Sequence, residues 1–370
     1  MTAVIGPIPS APAPAGGRLQ FLSMLRAIAS HLLVWHHLAF YGPLAEQAYP
    51  LAPLVLDWLA DPARMVVQVF LVIGGFGTAQ HLNRLHTASW HRFCLEIARR
   101  YLRIGIPYFA ILPLAVGVNA LASRWMEHDS ISAAPTLPQL IAHLFFAQDL
   151  LRYEPLTAGI WYLAIDLQLF VLTLSVAMLS MVWVRGSGGD EPARARQLMQ
   201  RILAVLAAAS LFWWNRNPGF DCWAIYFLGS YFLGMLVQWV ISGSLRGPLP
   251  WLSLGMVGAA MAVDWRPRLM VAACTALLIL LVSQCGRLRH WPDSRLVGYL
   301  GRISFCLFLI HFPACLVVSA WLSQWTLTPS QAFAGMVAAW GASVVMAIVL
   351  YHTVEQPWER ARAWGRPPAA

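Results

Sequence analysis

Ten apolar segments, each long enough or nearly long enough to cross a lipid bilayer, follow one another along this chain. Of its 370 residues, 59% are hydrophobic and 11% are charged, whereas soluble domains carry about a quarter charged residues. A soluble core cannot absorb so much apolar sequence, and about 20 apolar residues suffice for a membrane-spanning helix. The sequence therefore predicts an all-α, polytopic membrane protein with about ten transmembrane helices. The predicted spans are 19–41, 64–83, 101–123, 159–184, 199–214, 223–241, 248–263, 268–285, 299–322 and 331–353.

The basic residues are 25 arginines, and they give the chain a net charge of +9. If the N-terminus is cytoplasmic, 14 of the arginines fall in loops on the cytoplasmic side and six in loops on the outer side. Basic residues concentrate in the cytoplasmic loops of membrane proteins. We therefore expect both termini in the cytoplasm. We also expect the arginines to contact anionic membrane lipids, with no nucleic-acid partner.

The two ends of the chain differ in composition from its middle. The first 17 residues are rich in proline, alanine and glycine, which predicts a disordered cytoplasmic tail. Residues 18–358 are predicted to form one transmembrane domain and 359–370 a second tail, because Pro357 favours the end of the last helix. The six cysteines show no metal-ligand spacing, and we expect no metal site.

The first segment carries an arginine and three histidines among apolar residues, in "LRAIASHLLVWHHL". Arg26 and His37 are eleven residues apart, which is three helical turns plus about 20°, so both share one helix face about 16 Å apart. An arginine inside a membrane is costly unless it faces a partner or a polar cavity. The shared face predicts a polar tunnel, whereas His31 and His36 lie off that face.

The sequence leaves open the roles of two further groups of polar residues. Arg100 and Arg103 share a helix face at the predicted inner mouth of the third span, where they either anchor topology or bind a phosphate-bearing ligand. Asp166 lies in the outer third of the fourth span, at the predicted depth of His37. It either orients that histidine or pairs with an arginine elsewhere. His311 lies in the middle of the ninth span.

The outer loop from about 124 to 157 is the longest in the chain. It is either a lid or acceptor-binding element or an ordinary connection. Within it, residues 137–151 are apolar on one side but too short to span. We expect this stretch to lie in the membrane interface or to dip part way into the membrane.

Five stretches together resemble the acyltransferase-3 family of integral membrane acyltransferases, from about residue 18 to 360. The family's arginine, ten residues, then histidine matches Arg26 and His37, and its R-x-x-R motif matches Arg100 and Arg103 in "RYLRIGIP". Three later motifs resemble "VFLVIGGF", "IWYLAIDLQLF" and "GRISFCLFLIHFP". The chain departs from the family at two positions, where Gly74 replaces a serine and an aspartate stands where glutamate is usual.

The resemblance implies ten core spans, cytoplasmic termini and transfer of an acyl group, often acetyl, from acyl-CoA. The family's acceptors are hydroxyl-bearing saccharides, glycolipids or small molecules. The resemblance also implies that His37 is catalytic and that Arg100 and Arg103 hold the CoA end. We add Arg26 and His311 to the acyl-CoA-binding residues and Asp166 to the catalytic ones, and we expect a multi-pass protein of the bacterial inner membrane.

Two other functions fit intramembrane arginine and histidine. A transporter or flippase of a polar or lipid-linked substrate uses such groups along its path, but this chain shows no inverted repeat. A haem-binding oxidoreductase uses paired histidines, but the spacing within 31–37 does not place two of them on one face.

Overall fold

The computed structural model describes residues 19–85, 88–186, 192–245 and 248–364. Every regular element in these ranges is a helix, which confirms the all-α prediction. The predicted tail at 1–17 and residues 365–370 lie outside the described ranges. The α-helices are α1 (Gln20–Tyr41), α2 (Pro43–Ala48), α3 (Pro53–Ala60), α4 (Val67–Leu82), α5 (Trp90–Ala122), α6 (Leu137–Leu144), α7 (Ile160–Gly186), α8 (Pro192–Phe212), α9 (Ala224–Ile241), α10 (Leu249–Val263), α11 (Pro267–Gln284), α12 (Arg295–Leu322), α13 (Pro329–Leu350) and α14 (Gln356–Trp364).

Each of the ten predicted spans corresponds to one of the longer helices. Eight helical stretches within the described ranges are long and apolar enough to cross a membrane. The other two predicted spans are α1 and α10. Helix α1 has 22 residues, but its arginine and histidines lower its mean hydropathy, and α10 has 15 residues.

Two helix ends differ from the prediction. Helix α5 begins at Trp90, eleven residues before the predicted start of its span, and its 33 residues extend over about 50 Å. The arginines in the first turns of α5 lower the mean hydropathy of the segment, but arginine has a high helix propensity. The Ser89 hydroxyl caps the N-terminus of the helix by accepting a hydrogen bond from the Arg92 backbone N–H at 3.2 Å. Near the C-terminus of the protein, Pro357 does not end the last helical segment. A π-helical turn, Tyr351–Glu355, leads into α14, whose first turn tolerates the proline.

The long helices bury their apolar residues in two main cores. One core joins α4, α7, α8, α9 and α11, and the other joins α1, α5, α12 and α13. Helices α1, α4 and α7 contribute side chains to both cores. Helix α4 packs closely against α9 at two glycines, because a Cβ atom on Gly75 or Gly234 would lie within 2 Å of a backbone oxygen of the other helix. The polar side chains described below lie on α1, α5, α7 and α12.

The chain after α5 folds back along that helix. The Ser132 N–H donates to Asn119 Oδ1 at 3.0 Å, and the Tyr101 hydroxyl donates to the Leu144 carbonyl at 2.7 Å. Asn119 and Tyr101 are 18 residues apart, or about 27 Å along a straight helix. Helix α6 therefore lies beside the middle of α5, with Leu137 and Phe145 exposed. Whether 137–151 lies in the membrane interface or dips part way into the membrane stays a prediction.

Candidate active site

His37 and His311 meet between α1 and α12. His37 Nδ1 lies 2.5 Å from His311 Nε2, and both side chains are buried. On its other edge, His311 Nδ1 lies 2.7 Å from the carbonyl oxygen of Phe308. The two histidines are 274 residues apart in sequence, so helix packing alone brings them together.

The hydrogen bonds determine which nitrogen of each ring carries a hydrogen. The Phe308 carbonyl can only accept, so His311 Nδ1 donates to it. In a neutral imidazole the other nitrogen is then an acceptor, so His311 Nε2 accepts from His37 Nδ1. The lone pair of His37 therefore lies on Nε2. This arrangement fixes the ring of His37 and leaves it a nitrogen that can take a proton.

The start of α7 approaches His37 closely because residue 159 is glycine. Gly159 has φ +82°, and a Cβ atom there would lie 3.3 Å from Phe308 Cζ and 3.8 Å from His37 Cε1. A larger residue would adopt this backbone conformation only with strain. Gly159 thus lets α7 begin directly beside the His37 ring.

Arg100 and Asp166 form an ion pair between α5 and α7. Arg100 Nη2 lies 2.6 Å from both carboxylate oxygens of Asp166, and Nε lies 3.0 Å from Oδ2. The Asp166 side chain is 8% exposed and that of Arg100 is 20% exposed. Of the two roles considered for Asp166, the structure shows pairing with an arginine. A Cβ atom on Gly74, the glycine that replaces serine, would lie 3.5 Å from Asp166 Oδ1.

This ion pair shows that the predicted depths of the two residues cannot both be right. Arg100 was expected at the inner mouth of its span and Asp166 in the outer third of the next, yet they are in contact. Because α5 begins at Trp90, Arg100 lies about 15 Å inside the helix rather than at its end. Asp166 lies seven residues, or about 10 Å, beyond Gly159 on α7, so it is not at the level of His37.

Tyr162 lies between the histidine pair and the ion pair. Its ring centroid is 5.7 Å from that of Phe308 and 5.9 Å from that of Phe70. The Tyr162 side chain lies near the charged groups of Asp166, Arg100 and Arg26. Sequence reasoning missed this tyrosine, although it stands within the quoted "IWYLAIDLQLF" stretch, because tyrosine is common in apolar helices.

A family model for the acyltransferase domain matches residues 19–351, essentially the whole chain. The chain belongs to the acyltransferase-3 family. No curated protein and no solved structure matches it. The matched region contains both the histidine pair and the ion pair of this acyltransferase.

The structure of this acyltransferase brings the predicted site residues together as two pairs. His37 lies with His311, and Arg100 lies with Asp166. Arg26 is partly buried on α1 and lies near the Tyr162 side chain. Arg103 is exposed on the surface of α5, three residues beyond Arg100. The catalytic and donor-binding roles of these six residues stay predictions.

A cleft of the acyltransferase opens beside His37, on the side away from the ion pair. It holds about 300 Å³ of empty space with its open mouth included. Its lining comes from the ends of α1 and α12 and from the loop after α5. The lining residues are His37, Leu38, Tyr41, Gly42, Ser130, Phe312, Cys315, Leu316 and Ser319.

Proposed function

We propose that this membrane acyltransferase moves an acyl group, acetyl in the simplest case, from acyl-CoA to a hydroxyl group of an acceptor. The observation that carries the proposal is the hydrogen-bonded pair His37–His311 beside an open cleft. A histidine whose second nitrogen is held by a neighbour has the form of an oriented general base. The family membership supplies the acyl transfer.

In the proposed reaction, His37 Nε2 removes the proton of the acceptor hydroxyl as its oxygen attacks the thioester carbonyl carbon. The new carbon–oxygen bond forms, and the tetrahedral intermediate then expels the sulfur of CoA. The sulfur takes the proton from His37 Nε2, so an ester and free CoA leave, and the histidine is neutral again. During the reaction His311 holds the ring and accepts the hydrogen bond from the charged imidazole.

We propose that the donor reaches His37 from the side of the molecule on which the ion pair lies. Arg103 is exposed on α5, where its side chain can reach the CoA phosphates from the surrounding water. Arg100 binds Asp166, and in this proposal the pair shapes the path of the pantetheine arm. Arg26 lies on the His37 face of α1 and lines the same path.

The acceptor would approach from the cleft, so that donor and acceptor meet end to end at His37. With the topology that the arginines predict, the cleft faces the outer side of a bacterial inner membrane. A saccharide, a glycolipid or a small molecule would then receive the acyl group there. Holding both substrates in one buried geometry supplies much of the rate enhancement.

The test is release of CoA from acetyl-CoA by the detergent-purified protein, with a binding assay run in parallel. We expect His37→Ala to bind acetyl-CoA but to lower transfer by about 10²- to 10⁴-fold. Arg103→Ala should weaken binding of acetyl-CoA. The matched control is His31→Ala in the same helix, because His31 accepts from Trp340 Nε1 rather than from His311. Near-normal transfer by His37→Ala would refute the role of His37.

A further inference from the structure

A cluster of three arginines lies where the ends of α8 and α10 meet the beginnings of α9 and α11. Two of them bind the buried Asn215, since Arg266 Nη1 donates to its Oδ1 at 2.7 Å and Arg268 Nη2 donates to its carbonyl oxygen at 2.5 Å. The third, Arg216, is the next residue along the chain, and its Nε lies 3.4 Å from Asp264 Oδ2. Arg266 Nε lies 3.5 Å from the same carboxylate oxygen. The fold therefore holds the three guanidinium groups close together.

The cluster carries more positive charge than its neighbours balance. Arg216 and Arg266 share Asp264, whereas the described part of the chain offers Arg268 no carboxylate partner. Arg268 donates instead to a backbone carbonyl and to the Tyr226 hydroxyl, and its Nε is buried without an acceptor. Burial lowers the pKa of Arg266, and the nearby charges of Arg268 and Arg216 lower it further. An anion bound beside these groups would relieve their mutual repulsion.

Tryptophans beside the cluster indicate that it lies at the level of the lipid headgroups. Trp213, Trp223 and Trp265 are all exposed, and each is close in sequence to an arginine of the cluster or to the start of α9. Tryptophan concentrates at membrane interfaces, where its ring contacts lipid and its N–H contacts water. Farther along α11, Leu277 and Leu281 are also exposed, as is typical of residues that face lipid tails. The arginines therefore lie next to the headgroups of lipids that pack against α11.

The cluster is also an exception to the charge distribution of the chain. With cytoplasmic termini, as the arginines predict, the cluster lies on the outer side of the membrane. The outer loops then have six arginines, and half of these are in the cluster. Basic residues are usually sparse in outer loops, so their concentration at one place favours a local binding role.

We propose that Arg216, Arg266 and Arg268 bind the phosphate group of an anionic phospholipid in the adjoining leaflet. The planar guanidinium group suits phosphate, because it can donate two parallel hydrogen bonds. Arg216 is 47% exposed and can contact a headgroup directly, whereas Arg266 is 8% exposed and adds a fixed charge behind it. A zwitterionic lipid would bring its own positive charge to the cluster, so a headgroup with net negative charge is favoured. This lipid site uses none of the residues proposed for acyl transfer.

The test titrates the detergent-purified protein with phosphatidylglycerol, which has a net negative headgroup, or with phosphatidylcholine, whose headgroup is neutral overall. Native mass spectrometry counts the bound lipids. We expect the wild type to bind phosphatidylglycerol more tightly than phosphatidylcholine. In Arg216→Gln/Arg268→Gln, the affinity of one phosphatidylglycerol site should fall roughly 30-fold, the effect of two basic residues near an anionic surface. Equal binding of the two lipids by the wild type would overturn the proposed site.

The matched control is Arg64→Gln/Arg124→Gln, which removes two exposed arginines that are also assigned to outer loops but lie outside the cluster. It changes the net charge of the protein by the same amount, so it should retain every bound phosphatidylglycerol. An equal loss of lipid in both double variants would show that binding follows net charge alone, which contradicts a site at the cluster.

Two further measurements separate lipid binding from folding and from binding of a free anion. Arg216→Gln changes only the most exposed arginine of the cluster, so it should keep the wild-type unfolding temperature and weaken the site roughly 5-fold. Wild-type lipid affinity in this variant would refute the role of Arg216. Inorganic phosphate should displace the lipid only at concentrations far above that of the lipid itself. Displacement at equal concentrations would assign the cluster to a soluble anion and overturn the lipid proposal.

Discussion

Replacing Asp166 with alanine removes one half of the ion pair between α5 and α7. The guanidinium of Arg100 then loses three hydrogen bonds of 2.6–3.0 Å in a position where its side chain is only 20% exposed. Removing one partner from a buried ion pair destabilises a protein by about 3–5 kcal/mol, because the remaining charge stays buried without compensation. We expect a loss of this size for Asp166→Ala and also for Arg100→Ala.

The double variant Arg100→Met/Asp166→Leu removes both charges and keeps the volume filled. Apolar replacement of a complete buried pair is often neutral or stabilising. We therefore expect the double variant to be more stable than either single variant, by a coupling that a double-mutant cycle measures. The assay is thermal or denaturant unfolding of the purified protein in one detergent.

An exposed ion pair in the same chain provides the control. Arg64 and Asp61 lie 3.1 Å apart, with side chains 58% and 71% exposed, and such pairs contribute about 0–1 kcal/mol. If Asp166→Ala were no more destabilising than Asp61→Ala, the pair between α5 and α7 would not be a buried pair in the protein. A double variant as unstable as the sum of the two single variants would refute the coupling.

Three further predictions concern the histidine pair, the start of α7 and the folded-back segment. His311→Phe keeps a ring but accepts no hydrogen bond from His37, so kcat should fall about 10²-fold and the pH–rate profile should move. An unchanged pH–rate profile would mean that the residue only fills space. Gly159→Ala should lower the stability by about 1–3 kcal/mol because of backbone strain, and should lower kcat by displacing His37; wild-type kcat and unfolding temperature together would contradict this. Burial raises the pKa of Asp149 above its ordinary value of 3.8, because the buried position favours the neutral carboxyl group. The stability that the neutral carboxyl group gives the folded protein is therefore complete below pH 3.8. It is lost as the pH rises through the pKa of Asp149 in the folded protein. The unfolding temperature of Asp149→Asn, compared with wild type at pH 4 and pH 7, should show a gain at the higher pH alone, and no gain at pH 7 would refute the assignment.

Two local features of the sequence were enough to single out His37 and Arg26. These features are the helical periodicity and the free-energy cost of a polar or charged side chain in an apolar segment. A charged group in an apolar helix needs a partner or a polar space, and that need is readable without a structure. The identity of the partner was not readable. His37 and His311 are 274 residues apart, and Arg100 and Asp166 are 66 apart, so only helix packing decides these contacts.

Depth along the helices was the less predictable quantity. Hydropathy placed the start of the third span at residue 101, because the preceding arginines resemble an aqueous loop. The helix nevertheless begins at Trp90, since arginine favours helix and each of its side chains can extend toward polar partners. The expected separation of Arg100 from Asp166 was therefore wrong, because the two side chains are in contact.

The unequal lengths of the helices bear on the surrounding lipid. Helix α5 extends over about 50 Å, whereas α10 extends over about 22 Å and α9 and α11 over about 27 Å. A bilayer has a hydrocarbon core of about 30 Å. Helix α9 is buried inside the protein, so lipids beside α10 and α11 are the ones that must compress, whereas those beside α5 need not. Such mismatch has an elastic cost per ångström. We therefore expect the bilayer to be thinner beside α10 and α11 than beside α5, and reconstitution in shorter-chain lipids should relieve the strain on the short-helix side.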